Sequence, residues 1–177
     1  MTPLRLSHTW ARRLYVGLFS LSVIYVILYA LQLTGAVAIP ALLRIDIFVA
    51  VGALLVAIAS AVLFVTVEKV SSFVPGFAAY AVFIIITAAT VQQTGGVSSF
   101  YLAVWTLAIF FAPVFGAYGW LPVIVMAGSY IAGAYLGGDL SPQAIVVIVF
   151  STIIPLAAGM FIWRDAEGTE DPSERNV

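Results

Sequence analysis

Long apolar runs separated by short polar breaks make up most of this chain. A helix that crosses a hydrocarbon core of about 30 Å needs roughly 20 apolar residues. The chain has six such runs. Four of them fit that requirement well, and the other two, the fourth and fifth along the chain, are near its lower limit. The pattern predicts an all-α, polytopic membrane bundle of six transmembrane helices, at residues 14–33, 45–67, 73–91, 100–115, 120–136 and 143–163.

The breaks between the runs contain residues that end or bend helices. Pro40 lies in the first connector, and it has no N–H with which to continue a helix. Pro155 lies inside the sixth run and predicts a kink there. Outside the membrane domain of residues 14–163, we expect a short N-terminal segment at 1–13 and a disordered polar tail at 164–177. The first run is too long for a signal peptide, whose apolar part spans about 7–15 residues.

Composition supports lipid as the main solvent of this protein. The 177 residues are 63% hydrophobic and only 8% charged, whereas soluble domains carry about 25% charged residues. The net charge is −1, and no basic cluster is available to neutralise phosphates, which argues against nucleic acid as a partner. The absence of cysteine excludes disulfides and thiolate metal sites.

The distribution of basic residues predicts the orientation. Six helices place both termini on one side, and an inside N-terminus leaves only Arg44 of the seven basic residues outside. That bias matches the positive-inside rule. We therefore expect a multi-pass protein of a bacterial or archaeal plasma membrane, with both termini and six basic residues on the cytoplasmic side: Arg5, Arg12, Arg13, Lys69, Arg164 and Arg175.

Residues that support catalysis or metal binding are scarce. Asp46 follows Arg44 at the start of the second run, and a membrane carboxylate can mark an ion or proton pathway. We favour an interfacial role at a helix end, with Arg44 reaching outward to the polar surface. His8 stands alone, and no nucleophile has a partner base. The sequence therefore predicts a non-enzymatic protein with no catalytic residues, metal or cofactor.

The longest polar interruption follows the third run, and it is the candidate sensing or ligand-binding loop. Its two glycines can adopt positive φ without steric cost, and with the hydroxyl side chains they would form a small donor-rich pocket. Ser98 or Ser99 would also cap the fourth helix. The alternative interpretation is an ordinary turn. The residues of this candidate loop are Gln92, Gln93, Thr94, Gly95, Gly96, Ser98 and Ser99.

Two stripes of small residues predict close helix packing, because small side chains let helices approach within a membrane. We favour packing within the bundle, with a homodimer face as the alternative. One stripe lies on the second helix and the other on the fifth: Ala53, Ala57 and Ala61, and Ser129, Gly133 and Gly137.

An arginine-led first helix at Arg12-Arg13-Leu14-Tyr15, followed by further runs with 94–100 (Thr-Gly-Gly-Val-Ser-Ser-Phe) after the third, resembles a known arrangement. It resembles the six-helix N-terminal membrane region of bacterial sensor histidine kinases, of the kind that regulate type IV pili. That family has a proline before the phenylalanine, whereas here Ser99 directly precedes Phe100. The sequence also contains no phosphoacceptor helix or ATP-binding domain. The resemblance implies a sensor region that acts through a fused kinase module or a separate cytoplasmic partner.

Three functional hypotheses follow. The first is a non-enzymatic membrane sensor that relays helix rearrangement to a cytoplasmic signalling partner. The second is a small transporter or substrate-binding membrane subunit, because segments interrupted by glycine and proline often mark a binding site at the membrane midplane. The third is an assembly or scaffold subunit held by its small-residue faces.

Overall fold

The computed structural model describes residues 8–35, 38–40, 43–67, 73–138 and 141–167. Every regular element in these ranges is helical, and none is a strand. Gly96–Ser98 and Ala112–Gly119 are 3₁₀ helices. The α-helices are α1 (His8–Thr34), α2 (Ile47–Thr66), α3 (Phe73–Gln93), α4 (Leu102–Phe110), α5 (Trp120–Gly137) and α6 (Pro142–Glu167).

Five of these helices are long and apolar enough to cross a membrane, namely all except α4. Their surfaces agree with a lipid environment, because large apolar side chains lie exposed along them. Phe48, Val65, Phe161 and Leu136 are between 75% and 85% exposed. In water such a surface would drive association. The expectation of an all-α fold is confirmed for the described residues, and the five apolar helices indicate a membrane protein.

The fourth predicted span is not one continuous helix. The run at 100–115 forms α4, which ends at Phe110, and is followed by the 3₁₀ helix from Ala112. Pro113 lies in the first turn of that 3₁₀ helix, where its missing N–H costs nothing. Gly116 then leaves the helical region altogether, with φ 58° and ψ −138°. The structure therefore corrects the prediction of one helix at 100–115, because the α-helix ends at Phe110; Gly116 lies just past the predicted span.

Contacts between side chains fix the directions of the helices. Gly76, near the start of α3, lies against the ring of Tyr15 near the start of α1. Further along the same pair, the rings of Tyr25 and Phe83 lie 6.3 Å apart. Hence α1 and α3 run parallel. The Tyr80 hydroxyl donates to the carbonyl of Ala108 at 3.1 Å.

The segment after α3 returns along that helix to its beginning. Tyr101 stacks on Tyr25 near the end of α3, with ring centroids 5.3 Å apart. Phe115 reaches Phe77 near the start of α3, where the centroids are 5.6 Å apart. Thus α4 and the following 3₁₀ helix together run antiparallel to α3 along most of its length.

The last helix is longer than the sequence predicts. It passes through Pro155 and continues to Glu167, into the segment where disorder is expected from residue 164. The part of the predicted tail beyond residue 167 and the predicted cytoplasmic residue Lys69 lie outside the described residues. One consequence is that α6 projects as helix beyond its apolar span, which ends at Ile162.

Candidate functional site

The candidate loop begins with a tight turn that its glycines make. Gly95 and Gly96 have φ of 106° and 61°, a region that side chains with a Cβ rarely adopt. The backbone then closes a short 3₁₀ turn, in which the Ser99 N–H donates to the Gly96 carbonyl at 3.0 Å. The Ser99 hydroxyl accepts a hydrogen bond from the Tyr101 N–H at 3.1 Å. Ser99 therefore caps the chain entering α4.

The two buried hydroxyls of the loop lie side by side. Thr94 and Ser99 are 2% and 5% exposed, and their side chains hydrogen-bond each other. The Thr94 hydroxyl also lies 2.6 Å from the Thr90 carbonyl. These groups hold the loop in shape. Gln93, Gly95 and Ser98 remain exposed at the surface.

Gln92 belongs to a groove between α3 and α5. Its amide Nε2 lies 3.5 Å from the carbonyl of Ser129 on α5, which is a weak hydrogen bond. The groove has a volume of about 390 Å³, and its walls are otherwise apolar. Its lining includes Phe77, Ile84, Ala88, Gln92, Met126 and Ser129.

A chain of aromatic contacts joins the loop to α6. The hydroxyl of Tyr130 lies against Gly96, where a Cβ would approach it to 2.5 Å. The Tyr130 ring meets the edge of Trp105, with centroids 6.1 Å apart and planes at 76°. The indole N–H of Trp105 then donates to the Thr152 hydroxyl on α6 at 3.4 Å. The loop therefore contacts α5, α5 contacts α4, and α4 contacts α6.

Trp105 is the central residue of this series of contacts, which we call the aromatic chain (Gly96, Tyr130, Trp105, Thr152). It is fully buried, and among the four tryptophans its position away from a helix end is evident from the sequence. Tyr130 and Thr152 carry no such signal, because their neighbours come from other helices. Neither residue is therefore identifiable from the sequence pattern.

The small-residue stripes differ from each other. On α2, Ala53 and Ala57 are buried, and Ala61 is exposed. On α5, Ser129, Gly133 and Gly137 all lie exposed, beside the groove that contains Gln92. The α2 residues therefore pack within the bundle over the first two positions. The α5 stripe stays on the open surface, and the homodimer interpretation of it remains a prediction.

The glycine of α6, Gly159, lies against α4 and the 3₁₀ helix that follows it. A Cβ on Gly159 would lie 2.6 Å from the carbonyl oxygen of Phe110 and 3.1 Å from the ring of Pro113. Here α6 approaches the backbone of its neighbour more closely than a side chain would permit. The sequence gives no hint of this position, since Gly159 belongs to neither stripe.

Asp46 is a helix cap. Its carboxylate accepts a hydrogen bond from the Phe48 N–H at 2.8 Å at the start of α2. Gln32 fixes the preceding residue from α1, because its amide both donates to the Ile45 carbonyl and accepts from the Ile45 N–H. This placement at a helix end accounts for Asp46 without an ion pathway.

The described residues contain no group of three or more His, Cys, Asp or Glu that could hold a metal ion. What they offer instead is an ordered glycine turn, a half-open groove beside it and an aromatic chain leading to α6. Comparison with known proteins adds no identity, since no family model, no curated protein and no solved structure matches this chain.

Proposed function

We propose that this protein is a multi-pass membrane signalling-input domain that relays a change at its Gly95-Gly96 turn to α6. The observation that carries the proposal is the aromatic chain, which connects the turn to Thr152 through van der Waals and hydrogen-bond contacts. The output helix extends past the apolar span to Glu167. That extension offers a cytoplasmic partner, or a fused kinase module, a rigid helix to read.

The first link of the relay depends on the missing side chain of Gly96. The Tyr130 hydroxyl occupies the place where a Cβ of residue 96 would lie. A shift of the turn towards Tyr130 would therefore push this side chain, and a shift away would break the contact. Tyrosine and tryptophan have only two side-chain torsions each, so a push on one ring is passed on rather than absorbed. Packed interiors respond to such pushes as discrete rearrangements.

The second link depends on how α6 is held. Its contact with α4 at Gly159 is a backbone approach, and its hydrogen bond to Trp105 is long at 3.4 Å. A long hydrogen bond is weaker than one near 2.9 Å. We therefore expect movement of α6 relative to α4 to cost less free energy than movement of helices that are joined by shorter hydrogen bonds.

The proposal includes six crossings, with the ends of α1 and α6 that lie at His8 and Glu167 on the cytoplasmic side. The fourth crossing would be composite. The nine residues of α4 rise about 14 Å, and the segment after it continues as far as Phe115, which reaches Phe77 near the start of α3. The chain then turns back at Gly116, so that Gly119 lies against the Ala112 carbonyl. The antiparallel course of this segment along α3 supports the composite crossing.

A chimera tests the proposal. A cytoplasmic kinase module fused after Val177, with linkers covering one helical turn of phase, reports the state of α6. We expect the double replacement of Gly95 and Gly96 by Val to change the basal kinase output. Trp105→Phe keeps an aromatic side chain but removes the indole N–H and part of the ring, so it should reduce that change.

A matched control separates the relay from general damage. Gly35 has φ 62° and open space around it, so Gly35→Val introduces a similar backbone penalty at a place that contacts no part of the aromatic chain. We expect Gly35→Val to leave kinase output unchanged. The chimeras must first be shown to respond to a one-residue insertion in α6. In such chimeras, equal kinase output from wild type and from the double valine variant would count against the proposal.

The transport hypothesis has one specific observation in its favour. The chain breaks from α-helix to 3₁₀ helix and then leaves helical geometry at Gly116, and interrupted helices form the substrate sites of many transporters. Solute uptake by proteoliposomes that contain the purified chain would support this second candidate. Its failure, with a full set of candidate solutes, would leave the signalling proposal as the better account.

A further inference from the structure

A cluster of hydroxyl groups lies between α1 and α3, one to two turns below the candidate loop. Tyr25 projects from α1 and is 1% exposed, and Thr87 and Thr90 on α3 are fully buried. The ring of Tyr101 covers one face of Tyr25. Ser22 lies one turn before Tyr25 on α1, on the same side of that helix, and it too is fully buried.

The Tyr25 hydroxyl has no hydrogen-bond partner among the described residues. The hydroxyls of Thr87 and Thr90 are its polar neighbours, and no direct hydrogen bond of ordinary geometry joins either of them to it. Each threonine instead donates to its own helix, at 2.8 Å to the Phe83 carbonyl and 2.7 Å to the Ile86 carbonyl. Both threonine oxygens consequently keep lone pairs that can accept a hydrogen bond.

Tyr25 cannot satisfy itself within its own helix. A serine hydroxyl in a helix can rotate to reach the carbonyl one turn earlier, and this route is open to the other two unpartnered hydroxyls, those of Ser22 and Ser60. The tyrosine hydroxyl is held at the end of a rigid ring that is fixed by stacking on Tyr101. A buried hydroxyl without a partner is costly, and most costly where the surroundings are hydrocarbon.

We propose that this cluster is a binding site for a water molecule inside the membrane domain. Water matches the groups present, because it can accept from Tyr25 and donate to Thr87 and Thr90. An internal water typically makes about three hydrogen bonds of this kind. A cation is the poorer match, since the described part of the chain brings no carboxylate to the cluster and an uncompensated buried charge is strongly disfavoured.

The site would join α1 to α3 through water, near the loop that follows α3. It is independent of the signalling proposal, because a transporter or scaffold with this bundle would need the same molecule. The direct test is a crystal structure of the full chain from a lipidic phase, at a resolution that shows ordered water. We expect density within hydrogen-bond distance of the Tyr25 Oη and of at least one threonine hydroxyl.

Stability measurements provide a second test. If water completes the cluster, Tyr25→Phe lowers the thermal midpoint of the protein in nanodiscs. Tyr101→Phe is the control, because it removes a hydroxyl that donates to the Leu43 carbonyl at 2.9 Å, and it should lower the midpoint in any case. A structure in which Tyr25 bonds directly to a threonine with no water between them overturns the proposal. A raised midpoint for Tyr25→Phe also overturns it, since that shift would indicate a dry, unsatisfied hydroxyl.

Discussion

Replacement of Gly96 by Ala tests the contact on which the aromatic chain depends. Gly96 and Gly35 both have left-handed backbones, with φ of 61° and 62°. They differ in their surroundings. A Cβ on Gly35 would meet nothing within 4 Å, whereas a Cβ on Gly96 would lie 2.5 Å from the Tyr130 hydroxyl oxygen. The pair therefore separates the cost of the backbone conformation from the cost of the contact.

The expected magnitudes follow from these two terms. A residue with a Cβ pays about 1–2 kcal/mol in the left-handed region, and Gly35→Ala should lose about that much stability. Overpacking adds about 1–3 kcal/mol when neighbours must move. We therefore expect Gly96→Ala to lose about 2–5 kcal/mol of unfolding free energy. Tyr130 has to leave its place for the new methyl group to fit.

Equilibrium unfolding in mixed micelles, followed by far-ultraviolet circular dichroism, measures both losses. Tyr130→Phe removes the oxygen atom that the new Cβ would meet, so the double variant should recover much of the excess cost. We expect a coupling of about 1–3 kcal/mol between the two sites, within the range found for residues in contact. If Gly96→Ala is no more damaging than Gly35→Ala, or if Tyr130→Phe rescues nothing, the contact does not have the importance assigned to it.

Three further matched tests use the same logic. Ala53→Leu should destabilise the bundle by about 1–3 kcal/mol through overpacking, whereas Ala61→Leu on the exposed side of the same helix should have little effect; both are read from unfolding midpoints. Gly159→Ala should destabilise because a Cβ there meets a backbone carbonyl of α4 at 2.6 Å, and Gly128→Ala, with open space around it, should stabilise α5 by about 0.5–1 kcal/mol. Asp46→Ala should lose about 1 kcal/mol with the cap of α2, and Asp46→Asn should retain most of it in the same assay.

Much of the fold is predictable because lipid imposes a simple rule on the sequence. Five helices coincide with apolar runs of sufficient length, since every backbone polar group in hydrocarbon must be paired within its own segment. The fourth run obeys the same hydrophobicity rule and still breaks. Its break depends on Pro113 and on the backbone conformation of Gly116. A hydrophobicity pattern does not distinguish these two residues from others in an apolar run.

The site was less predictable, because its key contacts join residues far apart in the chain. The glycine pair identified the turn correctly as a place of positive φ. The hydroxyls of Thr94 and Ser99 bond each other, and the ligand-binding role of the loop stays a prediction. Tyr130 and Thr152 look like ordinary residues of apolar helices until α4 brings Trp105 between them. Only packing of three helices creates that relation.

The polar contacts that join the helices suggest why a small stimulus would act on α6 in particular. The Tyr101 hydroxyl bonds the Leu43 carbonyl at 2.9 Å and the Tyr80 hydroxyl bonds the Ala108 carbonyl at 3.1 Å, and both contacts fix elements on the α1 to α4 side. The bond from Trp105 to Thr152 is longer, at 3.4 Å. Hydrogen bonds between membrane helices contribute only about 0.6 kcal/mol on average, and a long one contributes less. Because the better bonds join α3 to α4 and tie Tyr101 to the connector before α2, we expect displacement at the turn to be released mainly as movement of α6.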